Sequence, residues 1–336
     1  MSKLLKCLLK GENSYNPIWF MRQAGRYLPE FREIRSKNLD FIKLCLNSNL
    51  SSEITLQPIN RFELDAAIIF SDILIVPHAL GQKVFFEKGE GPTLSKFSIG
   101  NLQNNKIKNY TSILDPVYKA INITRNKLDK NKEVIGFVGA PWTLIVYMLG
   151  LKNKDNKLNY SLLENKKKEL INIIDKINDF LILHIGNQIK AGANIIQIFD
   201  SWAGLIPEKD LHDFCYNPNK KLVKFCKDKK IPVICFPKGI NKKYVEFEKI
   251  VKPTCLSLDH DVDPEWISKN IKNTCFQGGM NPKALLKDEK KIFYEVDKYL
   301  NIFQDTPYIF NLGHGILPET NPEILTKVIK RVKNFK

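Results

Sequence analysis

The stretch from Ile195 to Phe199 reads Ile-Ile-Gln-Ile-Phe, and the polar pair Asp200 and Ser201 follows it directly. An almost continuous apolar run of this length is typical of a parallel strand that is buried on both faces. The preceding segment, Leu170 to Gln188, carries apolar residues at helical spacing, which is typical of an amphipathic helix. This order of helix, buried strand and polar loop is the repeating unit of an α/β fold.

The same unit recurs along the chain, which contains eight such apolar runs separated by turn residues and helical patterns. Three of the helical segments open with a proline, a residue that suits the first helical turn. Eight parallel strands joined by right-handed crossovers favour a single (β/α)8 TIM barrel, although the pattern alone also permits a doubly wound sheet. The runs are Ile18–Met21, Ala66–Phe70, Val134–Val138, Ile195–Phe199, Pro232–Phe236, Cys255–Leu258, Thr274–Gln277 and Tyr308–Leu312.

Two segments interrupt this alternation. The stretch Val84 to Pro92 predicts an extra hairpin, and Leu151 to Asn159 predicts a polar surface loop. Residues 1–12 form an N-terminal extension before the first strand. Because no low-complexity linker divides the chain, we expect one barrel domain over residues 1–336.

The formal net charge of +16 would concentrate anionic partners around the protein. Nucleic acid, an anionic membrane and a strongly acidic small molecule are all compatible with this charge. The basic residues are dispersed, however, and lysine far outnumbers arginine, so compositional bias accounts for most of the excess. The chain has no nucleic-acid-binding signature and no apolar stretch of about 18 residues, so we expect no nucleic-acid partner and no membrane span.

The seven cysteines form no CxxC pair, which argues against a structural zinc site or a disulfide framework. Residues 1–12 carry charges throughout and lack the apolar core of a secretion signal. We therefore expect a cytoplasmic protein with reduced thiols and no bound metal.

In a TIM barrel the active site gathers at the C-terminal ends of the strands. The residues that follow the eight runs are rich in polar groups and glycines, which is the placement expected of a site. The polar and charged ones include Arg22, Gln23, Arg26, Ser71, Asp72, Asp200, Ser201, Lys238, Asp259 and His314.

The most distinctive of these positions is the run from Pro17 to Arg26, which reads Pro-Ile-Trp-Phe-Met-Arg-Gln-Ala-Gly-Arg. Its two arginines can each bind a carboxylate through two parallel hydrogen bonds and stay charged at any working pH. Gly25 allows the backbone to approach a ligand closely. The ordinary alternative is a pair of solvated arginines on a first helical turn.

This run resembles the first signature of the uroporphyrinogen decarboxylase family, P-x-W-x-M-R-Q-A-G-R. The stretch from Gly136 to Tyr147, which reads Gly-Phe-Val-Gly-Ala-Pro-Trp-Thr-Leu-Ile-Val-Tyr, resembles the second signature. Shorter stretches are similar to the same family in the same order, so the resemblance spans nearly the whole chain. They are Phe70–Leu74, Glu90–Pro92, Phe199–Gly204, Gln277–Gly278 and Asn311–Gly315.

Members of that family are single (β/α)8 barrels, usually homodimers, that act without metal, nucleotide or prosthetic group. The resemblance implies a lyase of porphyrin and haem biosynthesis that converts the four acetate side chains of uroporphyrinogen to methyl groups. The products are coproporphyrinogen and carbon dioxide. That substrate carries eight carboxylates around four pyrrole N–H groups, so its rim needs cations and its centre needs an acceptor.

By similarity to the family, Asp72, Arg22 and Tyr147 are catalytic, and ionised Asp72 accepts the pyrrole N–H bonds. Taken singly, these residues have ordinary alternatives, such as a helix cap for Asp72 or a core position for Tyr147. A guanidinium with a pKa above about 12 is a poor acid, so the proton donor stays open. The substrate-binding residues implied by the resemblance are Arg22, Gln23, Arg26, Asp72, Tyr147, Ser201, His314, Phe70 and Phe199.

Two other functions compete with this interpretation. A cobamide-dependent methyltransferase of the same fold would need zinc ligands in an H-x-C arrangement, and the corresponding stretch here is Cys235–Gly239, without histidine. A non-catalytic tetrapyrrole-binding protein could keep the arginines but would not need Asp72. Two departures from the family, Met148–Lys152 in place of a Glu-Gly stretch and His78 in place of Gln or Glu, bear on loop specificity rather than on the reaction.

Overall fold

The apolar runs form one curved sheet of parallel strands, in the order in which they occur along the chain. The computed structural model describes residues 1–12, 16–86, 91–98, 102, 110–152, 157–159 and 164–335. Within these residues Val84–Phe86 and Pro92–Leu94 pair as antiparallel strands, whereas the other strands form the parallel sheet; residues 87–90 of the predicted hairpin lie outside the described residues. The strands are β1 (Ala66–Ile68), β2 (Val84–Phe86), β3 (Pro92–Leu94), β4 (Glu133–Gly139), β5 (Ile195–Asp200), β6 (Val233–Pro237), β7 (Cys255–Leu258), β8 (Cys275–Gly278) and β9 (Tyr308–Ile309).

The first apolar run closes this sheet into a barrel through a single residue. Ile18 forms a parallel bridge with Phe310, which follows β9, and the N–H of Asp65, which precedes β1, donates to the Ile18 carbonyl at 2.9 Å. The Phe310 N–H donates to the Pro17 carbonyl at 2.8 Å. Backbone bonds on both sides place this run in the eighth strand position, which confirms the (β/α)8 barrel. The predicted strand Ile18–Met21 is shortened, because the chain turns directly after it.

Helices cover the outside of the barrel. The longest, α8 (Lys167–Lys190), contains the predicted segment Leu170–Gln188 and buries one apolar stripe. Pro282–Leu286, one of the three helical segments predicted to open with a proline, forms a 3-10 helix. No described helix is long and apolar enough to span a bilayer. The others are α1 (Lys3–Lys10), α2 (Pro29–Lys37), α3 (Phe41–Cys45), α4 (Ser48–Arg61), α5 (Ile75–Ala79), α6 (Asp115–Lys127), α7 (Pro141–Met148), α9 (Asn217–Asp228), α10 (Tyr244–Val251), α11 (Pro264–Asn270), α12 (Glu289–Ile302) and α13 (Pro322–Lys333).

The N-terminal extension forms α1, which packs over the N-terminal ends of the strands. Its residues Leu4, Cys7 and Leu8 share a buried cluster with Ile195 and Cys275, the first residues of β5 and β8. The sulfur atoms of Cys7 and Cys275 lie 3.8 Å apart. The opposite end of the barrel, at the C-terminal ends of the strands, carries the exposed Arg22 and the half-buried Asp72, Ser201 and His314, and is called the mouth.

A layer of polar side chains lies in the barrel interior. The Trp19 indole N–H donates to Gln277 Oε1 at 2.8 Å, and Gln277 Nε2 donates to Ser257 Oγ at 3.1 Å and Gln197 Oε1 at 3.3 Å. All four side chains are fully buried. Since buried hydrogen bonds are directional, this layer fixes β5, β7 and β8 relative to the first run.

Candidate active site

The loop after the first run presents Arg22 in an unusual backbone conformation. Its φ is 60°, in the left-handed region that residues with a β-carbon rarely adopt. Gln23 holds this loop, because its Oε1 accepts from the Phe20 N–H at 3.1 Å and its Nε2 donates to the Ala66 carbonyl at 3.0 Å. The Tyr27 hydroxyl donates to the Gln23 carbonyl at 2.7 Å. Gln23 is fully buried, so its side chain supports the loop.

Two glycines make room for this loop. A β-carbon on Gly25 would lie 2.9 Å from the Arg22 carbonyl oxygen, and one on Gly315 would collide with the aliphatic stem of Arg22. The Ile316 N–H donates to the Met21 carbonyl at 2.9 Å. Arg22 therefore lies across the backbone of the loop that follows β9.

Both arginines of the first run are available for a ligand. Arg22 and Arg26 are exposed, and neither guanidinium makes a hydrogen bond or ion pair within the described residues. The Arg26 carbonyl accepts from the Arg32 guanidinium at 2.9 Å, which restrains the loop. Two unpaired guanidinium groups on a restrained loop are suited to binding carboxylates.

Asp72 follows β1 and is half-buried near Arg22. Its Oδ1 accepts from the Leu74 N–H at 2.8 Å, which forms a turn ahead of α5, whereas Oδ2 accepts no hydrogen bond within the described residues. Burial raises the pKa of Asp72, and the Leu74 N–H and the charge of Arg22 oppose this rise. Within the described residues the carboxyl group therefore has one oxygen available for a ligand, in a partly desolvated setting where electrostatic interactions are strong.

His314 lies on the loop that follows β9, where its imidazole is neutral at physiological pH. Burial lowers the pKa of His314 to about 4, with further contributions from the charges of Arg22, Lys238 and His260. A neutral imidazole has one N–H donor and one acceptor nitrogen. His314 can therefore donate a hydrogen bond to a carboxylate that is held by the neighbouring cations.

Tyr147 lies in the last turn of α7 and is half-buried. Its ring meets that of Trp202 edge-on, with centroids 6.0 Å apart. Burial raises the pKa of the Tyr147 hydroxyl, Trp202 and Arg22 oppose the rise, and Asp72 adds to it. The hydroxyl thus stays protonated and can donate a hydrogen bond. The charge of Arg22 contributes to the pKa of Asp72, and the charges of both residues contribute to the pKa of Tyr147. The three predicted catalytic residues therefore lie near one another at the mouth.

A buried network fixes the end of β5, where Ser201 begins the loop. Asp200 is 1% exposed; its Oδ1 accepts from the Thr143 hydroxyl at 2.7 Å and its Oδ2 accepts from the Asn219 amide at 3.1 Å. Burial raises the pKa of Asp200 to about 6, although the bonds from Thr143 and Asn219 act in the opposite direction. The network holds α7 and α9 against the end of β5.

The second motif anchors the residue that follows Ser201. Thr143 Oγ1 accepts from the Trp202 N–H at 3.1 Å, and the Trp142 indole N–H donates to the Trp202 carbonyl at 2.9 Å. Trp142 is itself fully buried and packs on Phe214, with ring centroids 5.2 Å apart. Ser201 therefore lies between two anchored neighbours and is half-buried at the mouth.

Phe199 lies in an apolar floor beneath these polar groups. Its ring packs between Phe137 and Phe236, with centroids 5.6 and 6.3 Å away. All three rings contact the cluster inside the barrel, and Phe199 and Phe137 are partly exposed. The floor offers a flat aromatic or pyrrolic ligand an apolar contact surface.

Phe70 lies in a different environment. It is 8% exposed and packs against Phe31 of α2 and Phe41 of α3, with ring centroids 5.6 and 5.9 Å away. These contacts belong to the core around the barrel, so they support the segment that leads to Asp72. Contact between Phe70 and a substrate stays a prediction.

Three residues that organise the site, Thr143, Asp200 and Asn219, have roles that the sequence does not predict. Asp200 and Thr143 lie within recognisable motifs, but their hydrogen bond joins positions 57 residues apart. Their pairing depends on the packing of α7 against β5, which no local pattern reveals.

Comparison with known proteins decides the family. The family model described as uroporphyrinogen decarboxylase (URO-D) matches residues 1–335. The chain belongs to the uroporphyrinogen decarboxylase family. Proteins named uroporphyrinogen decarboxylase from Orientia tsutsugamushi (strain Boryong), Rickettsia bellii (strain RML369-C) and Cereibacter sphaeroides (strain ATCC 17025 / ATH 2.4.3) are 42%, 40% and 37% identical to it. The alignments cover 100%, 99% and 99% of this chain and 99%, 98% and 99% of those proteins.

The solved structures extend the likeness beyond the uroporphyrinogen decarboxylase family. A methyltransferase from Methanosarcina mazei matches with a TM-score of 0.79 over 98% of this chain and 97% of that chain, at 16% sequence identity. At this identity the likeness shows the fold alone, since one barrel fold supports many chemistries. The sequence relatives therefore favour the decarboxylase family over the methyltransferase alternative.

Proposed function

We propose that this protein is a carboxy-lyase of porphyrin and haem biosynthesis, which decarboxylates the four acetate side chains of uroporphyrinogen to methyl groups. The products are coproporphyrinogen and carbon dioxide. The observation that carries the proposal is the presence at the barrel mouth of half-buried Asp72 near the exposed Arg22. Within the described residues Asp72 Oδ2 accepts no hydrogen bond and the Arg22 guanidinium has no partner. Full-length likeness to proteins named uroporphyrinogen decarboxylase supports it.

In this proposal the rim of the site holds the carboxylates of the substrate. Arg22 and Arg26 bind acetate and propionate groups through paired N–H donors. The Ser201 hydroxyl and the neutral imidazole of His314 donate further hydrogen bonds to these carboxylates, as uncharged donors. The fully buried side chain of Gln23 positions Arg22. Phe199 contacts the macrocycle from the apolar floor.

Asp72 acts at the centre of the macrocycle. Each turnover adds a proton to a pyrrole α-carbon, which places positive charge on the ring. The bond to the carboxylate then breaks, carbon dioxide leaves, and its electron pair forms an exocyclic methylene. A second proton then adds to the methylene and converts it to a methyl group, and the pyrrole α-carbon releases the first proton. One proton is therefore consumed for each carbon dioxide that leaves. Ionised Asp72 accepts the pyrrole N–H bonds and stabilises the ring cation, an effect worth roughly 3–4 kcal/mol.

The roles of Arg22 and Tyr147 follow from their acidity. A guanidinium, with a pKa above about 12, donates protons poorly near neutral pH, so we assign Arg22 to binding and to charge stabilisation. We assign donation of the proton to Tyr147 or to a bound water that Tyr147 orients. The charge of Asp72 contributes to the raised pKa of Tyr147, which supports a proton donor near the ring that Asp72 would hold.

We further propose that residues 1–336 act as one barrel domain in a cytoplasmic homodimer that needs no cofactor. The homodimer rests on family resemblance, and the mass in solution tests it. A sedimentation or light-scattering mass equal to one chain would contradict the dimer without affecting the proposed reaction.

The assay that tests the reaction uses purified protein and uroporphyrinogen under anaerobic, reducing conditions, with no added cofactor. We expect coproporphyrinogen to accumulate through partly decarboxylated intermediates, as measured by chromatography of the oxidised porphyrins. Tight binding of the tetrapyrrole without any product would instead identify a non-catalytic carrier.

A further inference from the structure

Lys238 provides another cation near the mouth of the barrel. It directly follows β6 and is half-buried. Its ammonium group makes no hydrogen bond or ion pair within the described residues. A partly desolvated ammonium without an acceptor favours the arrival of an anion.

The backbone around Lys238 is held on both sides. Its N–H donates to the Asp200 carbonyl at 3.1 Å, and its carbonyl accepts from the Gly204 N–H at 2.9 Å. The next residue, Gly239, donates its N–H to Asp259 Oδ2 at 2.7 Å. The loops after β5 and β7 therefore fix the base of the lysine while its charged end stays free.

A chain of contacts connects this loop to the loop that carries His314. Asp259 is followed by His260, whose Nδ1 lies 3.5 Å from the Gly313 carbonyl oxygen. A β-carbon on Gly313 would lie 2.5 Å from the backbone nitrogen of His260, so the backbones of the two loops are in close contact. The charge of Lys238 also contributes to the low pKa of His314, as does that of Arg22.

The order of the strands separates the two cations. Arg22 follows the run that lies between β9 and β1, whereas Lys238 follows β6. His314 follows β9 and thus lies between them along the rim. Arg22 and Arg26 can bind the carboxylates of only part of a substrate that carries carboxylates on every ring. Lys238, on another side of the barrel, is placed to bind a carboxylate of a different ring.

We propose that Lys238 binds a substrate carboxylate on the side of His314 away from Arg22, and so positions the macrocycle over Asp72. This inference rests on the proposed function. Lys238 acts on binding rather than on the chemical step, because its contact with a carboxylate that does not react is the same in the ground state and the transition state.

The test compares Lys238→Met and Lys238→Gln with Lys238→Arg and with the control Lys242→Met. Lys242 is an exposed neighbour whose ammonium lies 5.7 Å from the Trp266 ring centroid. For Lys238→Met we expect KM for uroporphyrinogen to rise about tenfold while kcat changes by less than about threefold. Lys238→Arg should recover most of the loss, and Lys242→Met should behave as the unchanged protein.

A second measurement keeps this inference separate from the proposed reaction. Equilibrium binding of coproporphyrin, followed by quenching of tryptophan fluorescence, should weaken about tenfold in Lys238→Met whether or not the protein turns over. Unchanged KM and unchanged coproporphyrin affinity in a folded Lys238→Met variant would overturn the role of Lys238. An unchanged protein that binds coproporphyrin but forms no product would overturn the proposed function alone.

Discussion

The aliphatic stem of Arg22 lies so close to the backbone of Gly315 that a β-carbon at position 315 would collide with it. This contact joins the first and last motifs of the chain at one side of the barrel mouth. Glycine is required here by the approach of the arginine. The position of the Arg22 guanidinium therefore depends on residue 315 being a glycine.

Gly315→Ala should displace Arg22 without unfolding the barrel. Because a small misplacement of a binding group can be costly, we expect kcat/KM for uroporphyrinogen to fall by about 10- to 100-fold. The control is Gly91→Ala, where the added β-carbon would meet nothing within 4 Å. Equal activity of the two variants would show that the contact does not position Arg22.

Asp72→Asn removes the charge and keeps the shape of the side chain. The amide cannot stabilise a ring cation as a carboxylate does, so we expect kcat to fall by about 100-fold or more. The melting temperature should change little, since the Leu74 N–H can still donate to the amide oxygen. Near-normal turnover in a folded variant would remove Asp72 from the mechanism.

His314 should make stability depend on pH. Its pKa is about 4 in the folded protein against an ordinary 6.5, so the unfolded chain binds more protons between these values. Stability should therefore fall as the pH is lowered through this window.

Denaturant unfolding of the protein and of His314→Gln checks this dependence. Between about pH 7.5 and pH 5 the protein should lose about 1–2 kcal/mol more than the variant. Burial also lowers the pKa of His184, to about 3. Because His184 is present in both proteins, its contribution to the pH dependence of stability cancels in the comparison. The same pH dependence in both proteins would mean that His314 takes up a proton in the folded state as readily as in the unfolded chain.

Thr143→Val should loosen the loop that carries Ser201. The change leaves Asp200 Oδ1 and the Trp202 N–H without their shared partner, which should cost about 1–3 kcal/mol of unfolding free energy. We expect KM to rise as well. Thr93→Val, on an exposed hairpin position, is the matched control and should be neutral. A variant as stable as the control would mean that the loop does not depend on Thr143.

Much of the fold could be predicted because parallel strands buried on both faces need continuous apolar runs. Cys255–Leu258 is a strand over the residues predicted, and the other main strands differ by one or two residues at their ends, except that β9 keeps only Tyr308–Ile309. The first run could not be predicted in detail. It keeps one bridging residue, Ile18, and the chain turns from Met21 onward, in a loop where Gln23 Nε2 donates to the Ala66 carbonyl.

The sequence by itself indicated the alternation of buried strands and helices and the order of the motifs, since apolar runs and motif spacing are local properties of the chain, whereas closure of the sheet through Ile18 and Phe310 decided between a barrel and a doubly wound sheet. It also singled out Arg22, Asp72, Tyr147 and His314, which the fold brings to one mouth. Only the tertiary structure decided which polar side chains stay free. The Gln23 side chain is engaged by the nearby Phe20 N–H and by the Ala66 carbonyl, 43 residues away, whereas the ammonium of Lys238 keeps no partner among the described residues. Burial and pairing depend on packing between elements, which a residue's type does not reveal.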